Sequence, residues 1–441
     1  MRLKKSARLW FIWLNISPGQ TDFISRMIAI CALLYWPLAL YWTDFGHHGM
    51  QLTPLRFGNQ IFELPYPPES LVPIISVVHV LCCLAIVCGI KRKICFALPA
   101  AILLYYGCLD CAALSHALWM TTTILIALLF SAPRANCSRR IIQVLVTVCY
   151  GYTTLNRLSC PDFLNGSSFQ HWLVEGEVLK PEFLPFFLNR PVQFWESFSW
   201  LVAAAELFFA IGPWFRRTRK PCVILACLFH AGIFVVMART LMIFSAVMWA
   251  GLAAFVDGGR QWWSEEDRVA EDISAEMTGS AFGERYGMSL ANLCASAMIF
   301  ILVAFPGRVF LWPGRALETI SYYDRHPYGY SMFLVKDRVI RALLHYQDGK
   351  MRWHSESLLQ RFAILSSDNN LYSLARHAFK DHVAAERVRI EITYTINERR
   401  LETKILDLDR HNCDNPPAVK VMTAPLLSVD LGGLVKSTTK P

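Results

Sequence analysis

The chain has 441 residues, of which 54% are hydrophobic and only 17% charged, and its mean hydropathy is +0.34. An ordinary soluble domain carries about 25% charged residues, so these proportions exclude a single soluble core as the place where the apolar surface is hidden. The formal net charge of +9 comes mostly from Lys and Arg clustered between apolar runs, a signal of membrane topology that argues against a nucleic-acid partner.

Apolar residues fall into runs at 27–42, 71–90, 94–109, 117–132, 141–155, 198–215, 222–238, 241–256 and 290–305. Several are shorter than the roughly 20 residues of an upright span; tilt, or flanking Lys and Arg that snorkel, makes up the difference. The pattern predicts a mainly α membrane protein: a cytoplasmic N-terminal segment over 1–20, then a bundle of about nine transmembrane helices over 21–312. The first run is long, lacks a small-residue cleavage site and is followed by more spans, so no cleavable signal peptide is expected.

The loops assign a direction. Basic clusters lie at Arg2, Lys4, Lys5 and Arg8, at Lys91 to Lys93, at Arg134, Arg139 and Arg140, and at Arg216 to Lys220. These are alternate loops, and the positive-inside rule makes them cytoplasmic. The connections "TDFGHHGMQ", "DCAALS" and 158–196 are poor in Lys and Arg and fall outside, whereas the mixed-charge stretch 257–286 falls inside by count. An odd number of spans leaves the C-terminus extracytoplasmic, in a bacterial inner membrane or, in a eukaryote, the endoplasmic reticulum.

Most of the 14 cysteines sit within apolar runs, where a free thiol packs as a small hydrophobe. Cys108 and Cys111 form a C-x-x-C without a second pair or a partner His, so packing is favoured over a redox or metal site, and no metal is expected. Cys160 and Cys413 both fall outside and could pair. "NGS" at Asn165 fits the glycosylation pattern, which matters only in a eukaryotic secretory pathway.

After Gly314 the composition becomes that of a soluble domain. "RVRIEITYTIN" alternates Val388, Ile390, Ile392, Tyr394 and Ile396 with polar residues, the period of a strand with one buried face. The preceding "SDNNLYSLARHAFKDHVAAE" carries Leu371, Leu374, Ala375 and Ala378 on one helical face, with Ser367 or Asp368 as N-cap. "YSMFLV" and "RLETKILDLD" supply further strands. A small α+β extracytoplasmic domain over 313–431 follows, with a flexible tail over 432–441.

An ionisable side chain at mid-membrane costs about 2.5 to 3.5 kcal/mol on insertion scales and calls for a reason. His79, Glu206, His230 and the pair Asn156 and Arg157 stand in or at the ends of spans, with His116 at the outer start of a fourth. For His79 packing is the favoured reading. His116, Arg157 and His230 lie on different helices that could converge. Glu206 would be neutralised by desolvation unless a cation such as Arg157 or Arg239 reached it.

The stretch "YGYTTLNRLSCPDFLNGSSFQHWL", 150–173, resembles a signature of the vitamin K-dependent γ-glutamyl carboxylases and their bacterial relatives, the horizontally transferred transmembrane (HTTM) family. That signature is an aromatic-rich helix ending in a small-small-apolar-x-Lys-Leu turn, here "TTLNRL", followed by an Asp/Trp-rich loop, here "PDFLNGSSF". "LSHALWMTTTILIALLFSAP" is similar to the family's Asn-His-aromatic helix, with Ser115 for the asparagine and His116 retained. "CLFHAGIFVVMARTLMIFSAVMWAGLAAF" is similar to its Phe-His helix and the next one, "FPGRVFLWPG" to its Pro-x-Arg exit and "YGYSMFL" to its Trp-x-Met segment. "LARHAF" and "VRIEITYTINERRLETKILDLD" resemble its lumenal helix and strands. The likeness keeps a consistent order from Asp22 to Asp409.

The resemblance implies an enzyme that deprotonates a reduced vitamin K-type quinone, uses its reaction with oxygen to remove a γ-proton from a glutamate-containing protein, and adds carbon dioxide. It implies a water-poor pocket reached by the quinone from the lipid, with His116 as a hydrogen-bonding group, position 157 as the base, and Ser115, Asn156, Glu206 and His230 around it. At 157 this sequence departs from the family. Arginine stays protonated in any protein environment, so Arg157 cannot abstract the proton that a desolvated lysine can; it can hold an anion. The alternative is a non-catalytic scaffold or a lipid- or partner-binding protein on the same fold.

Overall fold

The computed structural model describes residues 21–47, 55–57, 60–62, 64–90, 92–109, 116–130, 137–159, 161–170, 173, 179–188, 190–237, 239–256, 290–311, 337–348, 351–357, 375, 378–379, 383–396, 400–410 and 420–425. Among these, each apolar run of the sequence falls on a helix: α1 (Thr21–His47), α2 (Val72–Val87), α3 (Lys93–Leu109), α4 (His116–Leu128), α5 (Ser138–Leu158), α6 (Val192–Ile211), α7 (Arg216–Val236), α8 (Arg239–Leu252) and α9 (Leu290–Leu311). The chain is mostly helical, with a small antiparallel sheet near its C-terminal end.

Among the described residues three helical segments are long and apolar enough to cross a membrane: Glu69–Val87, Val192–Trp214 and Arg216–Val236. The apolar stretches Lys93–Leu109, Ala117–Leu128, Met242–Phe255 and Asn292–Ala304 are shorter than a full span. The expectation of nine spans is thus matched in helices but met in span length by three. On α2, Ile74, Val77, Leu81 and Leu84 are all exposed. Spaced by three and four residues, they line one side of the helix, as a lipid-facing stripe requires.

Local sequence sets the helix ends. Gly89, with φ 89°, follows the end of α2; its N–H donates to the Ile86 carbonyl and the Ile90 N–H to that of Ala85. These two bonds make a Schellman stop, and the left-handed residue they need is cheapest as glycine. Between α6 and α7 the chain turns through a 3₁₀ segment, Gly212–Trp214. There the Thr218 hydroxyl donates to the Gly212 carbonyl at 2.7 Å and Arg219 Nε to the Pro213 carbonyl at 3.0 Å.

Helix α5 packs against α4, α6, α8 and α9, and α7 packs against α8. Arg139 and Gln143 on the first turns of α5 both donate to the Ala254 carbonyl at 2.8 Å, which pins α5 to the 3₁₀ segment Ala253–Phe255 that follows α8. Elsewhere in the bundle His79 is buried, stacked on Trp36 with ring centroids 4.5 Å apart, and its Nε2 lies 3.3 Å from the Ala32 carbonyl. These contacts are those of a packing residue.

Strands β1 (Leu55–Phe57) and β2 (Gln60–Phe62) form a small antiparallel pair in the connection between α1 and α2. The C-terminal sheet has the order β4-β3-β5-β6-β7, all antiparallel, from β3 (Asp337–Asp348), β4 (Trp353–Ser357), β5 (Ala385–Ile396), β6 (Arg400–Asp409) and β7 (Lys420–Pro425). Val388, Ile390 and Ile392 are fully buried, with Leu406 and Leu408 of the next strand, as the alternation predicts. Ala375, Ala378 and Phe379 are buried helical residues, and Arg410 ties them to the sheet by donating to the Phe379 and Ala385 carbonyls. The predicted strand at 330–335, the rest of the predicted helix and the tail lie outside the described residues, as do Cys111, Cys160 and Cys413.

Candidate functional site

Helices α5, α6 and α7 bound a cavity of about 340 Å³, with residues from the connection that joins α5 to α6 and Phe244 of α8 completing its wall. From α5 come Cys149, Tyr150, Thr153 and Arg157. Their spacing of three to four residues places them along one side of the helix. Helix α6 contributes Phe198, Leu201, Val202, Ala205 and Glu206, and α7 contributes Leu228, Phe229, His230, Gly232, Ile233 and Val236. The lining is almost wholly apolar, as in most small-molecule sites.

Two polar pairs interrupt it. Arg157 Nη1 lies 2.5 Å from Glu206 Oε2, and both side chains are more than nine-tenths buried. The guanidinium also lies over the Phe163 ring, 4.9 Å from its centroid, a cation–π contact. Two turns earlier on α5, the Tyr150 hydroxyl lies 2.6 Å from His230 Nε2. His230 is buried, and its Nδ1 has no hydrogen-bond partner among the described residues. Which of the two rings donates depends on the imidazole tautomer, which fixes whether Nδ1 can donate or accept. The Arg157 and Glu206 charges balance each other, so the pair adds polarity to the cavity without net charge.

The connection between α5 and α6 folds over this region. Phe163, Phe169, Leu173, Leu179 and Trp195 form a buried cluster with Val202 and Ala203. Gly166 makes it possible: at φ 81° it adopts a left-handed conformation, and a Cβ there would lie 2.4 Å from the Trp195 carbonyl carbon. The connection is fastened to the end of α7, where the Lys180 N–H donates to the Val236 carbonyl at 3.0 Å and its ammonium to the Val235 carbonyl at 2.7 Å. A cation there satisfies carbonyls that the helix leaves open and complements its dipole.

The sequence-predicted residues divide accordingly. Arg157, Glu206 and His230 meet in one cavity. Asn156 is buried one position along α5, outside the cavity lining. His116 begins α4, but its side chain, like all of Ser115, lies outside the described residues. Tyr150, Thr153 and the aromatic cover were not anticipated; reading back from Arg157 at helical spacing reaches Thr153 and Tyr150. Among the described residues no cluster of His, Cys, Asp and Glu has the makings of a metal site.

No protein-family model matches the chain, and no curated protein or solved structure matches it either. The likeness to the carboxylases therefore rests on the quoted motifs alone.

Proposed function

We propose that this chain is an integral membrane protein that binds a lipid-soluble, quinone-type molecule in the cavity between α5, α6 and α7. The observation that carries this reading is an apolar cavity, between two helices long enough to cross a membrane, whose polar groups include Tyr150, His230 and a self-neutralised Arg157–Glu206 pair. Apolar walls fit the body of such a molecule, and a few fixed polar groups fit its ring oxygens. Among the described residues His230 Nδ1 has no hydrogen-bond partner, and in this reading it meets a ligand oxygen. In this reading the N-terminus is cytoplasmic and the C-terminal α+β domain extracytoplasmic.

The test is binding in lipid nanodiscs. Menaquinone-4 titrated into the reconstituted protein should quench tryptophan fluorescence saturably, and Val202→Trp, which fills the cavity from α6, should abolish the saturable component. Wild-type protein with no saturable component would reject the proposal.

A carboxylase-type reaction at the same site is the second reading, favoured by the meeting of Arg157 and His230, which stand in separate motifs of the resemblance. Arg157 cannot be its base, since an arginine bound to Glu206 keeps its proton. Its role is to neutralise Glu206 and hold α5 to α6. Formation of γ-carboxyglutamate on a glutamate-rich peptide, with reduced quinone and labelled carbon dioxide, decides between binding alone and catalysis.

A further inference from the structure

The cavity is not closed on all sides. Leu201 of α6 and Leu228 of α7 line it, yet they are 64% and 62% exposed. Gly232, one turn beyond Leu228, is exposed as well, and a Cβ built there meets no atom within 4 Å. These residues belong to the outward face of each helix. On α7, Ile224, Leu225, Leu228 and Val235 are exposed at helical spacing, and on α6 so are Trp200, Leu201, Leu207 and Ile211. Both helices are long and apolar enough to cross a membrane. The opening therefore lies within the band of surface that faces hydrocarbon.

From this we infer that the gap between α6 and α7, bordered by Leu201, Leu228 and Gly232, is a lateral doorway through which an uncharged, tailed amphiphile passes from the bilayer into the cavity. The ring would lie beside Tyr150 and His230, and the tail in the gap. A doorway walled by leucine and opening into hydrocarbon offers no polar partner to a hydrated ion, so it discriminates against charged or water-borne ligands. The cavity adds no compensation for an ionised head, because Arg157 is already matched by Glu206. A Cβ at Gly232 would stand in open space at the border of the gap, so a bulky side chain there has room to obstruct it.

The inference rests on the binding reading above, and the experiment separates the two. Association of bilayer-dissolved menaquinone-4 is followed in nanodiscs for wild type, Gly232→Trp and Leu201→Trp, beside equilibrium binding of the tailless 2,3-dimethyl-1,4-naphthoquinone. Leu81→Trp, on the exposed stripe of α2 away from the cavity, is the control. Either doorway variant should slow association of the tailed quinone by about tenfold or more, whereas Leu81→Trp should associate like wild type. Wild type that binds neither quinone fails the binding reading itself. Wild type that binds the tailed quinone, with association unchanged in both doorway variants, overturns the doorway alone; so does equal slowing in Leu81→Trp.

Discussion

The ion pair between Arg157 and Glu206 makes a sharp thermodynamic prediction. Both side chains are buried among Phe163, Val202 and other apolar groups, 2.5 Å apart at their charged ends. Replacing Arg157 with Met removes one charge at little change in volume and strands a carboxylate in an apolar cavity. Breaking such a pair from one side costs about 3 to 5 kcal/mol. Glu206→Met strands the guanidinium and should cost a similar amount. The double variant removes both charges, and replacing a buried pair with apolar residues of similar size is often neutral or even stabilising by about 1 to 4 kcal/mol. The expected result is two strongly destabilised single variants and a double variant close to wild type, so the coupling should reach several kcal/mol. Arg157→Lys keeps the charge but loses the planar fork, and should fall between wild type and Arg157→Met. Thermal unfolding in detergent, read by reaction of the buried cysteines with a thiol-sensitive dye, ranks all four, with each single Met variant lower by roughly 5 °C or more. A double variant that loses the sum of the two single losses would refute the argument, because each side chain would then be stabilising the bundle by packing and not by its partner's charge.

Three further outcomes follow from other parts of the chain. Gly166→Ala forces a side chain onto the Trp195 backbone from a left-handed conformation and should destabilise the cover over the cavity by about 1 to 3 kcal/mol, read as earlier proteolysis within 161–190. In the sheet, partial burial would raise the Asp407 carboxyl, but hydrogen bonds from Arg387 and Arg389 outweigh it and hold it below the usual carboxylate range. A depressed carboxyl stabilises the fold above its unfolded value and loses that contribution as pH falls through the folded one. Amide-exchange protection of β5 and β6 in the full chain, taken relative to the intrinsic exchange rate at each pH, should therefore fall below about pH 4, by no more than the roughly 1 kcal/mol an exposed ion pair supplies, and Asp407→Asn should flatten the response. A reporter fused after Lys220 should be cytoplasmic and one after Gly314 extracytoplasmic; Lys220 found outside would reject the assigned orientation.

The helices were legible because each is written as an apolar run, and the ion pair because a lone carboxylate and an arginine in such runs each demand a partner. What sequence could not supply was rotation about each helix axis. Tyr150 sits within an apolar stretch and reads as one more aromatic until α5 is turned so that it shares a side with Thr153 and Arg157, and until α7 brings His230 to within 2.6 Å. The doorway is harder still to read, since Leu228 looks like its neighbours in composition and becomes part of an opening only where Gly232 leaves space beside it. In the sheet, β5 announces itself by strict alternation, whereas β3 does not. Its pairing with β5 shifts register between Val339 and Arg341, so one extra residue breaks the two-residue period on which a strand is recognised. The same physical fact explains both failures: periodicity reports which face of an element is buried only while the element keeps one geometry and has one neighbour to face. Helix α5, packed against α4, α6, α8 and α9, is buried nearly all round. Its faithful signals are therefore the residues whose burial demands a partner, which is why Arg157 stands out in the sequence and Tyr150 is reached only by reading back from it at helical spacing.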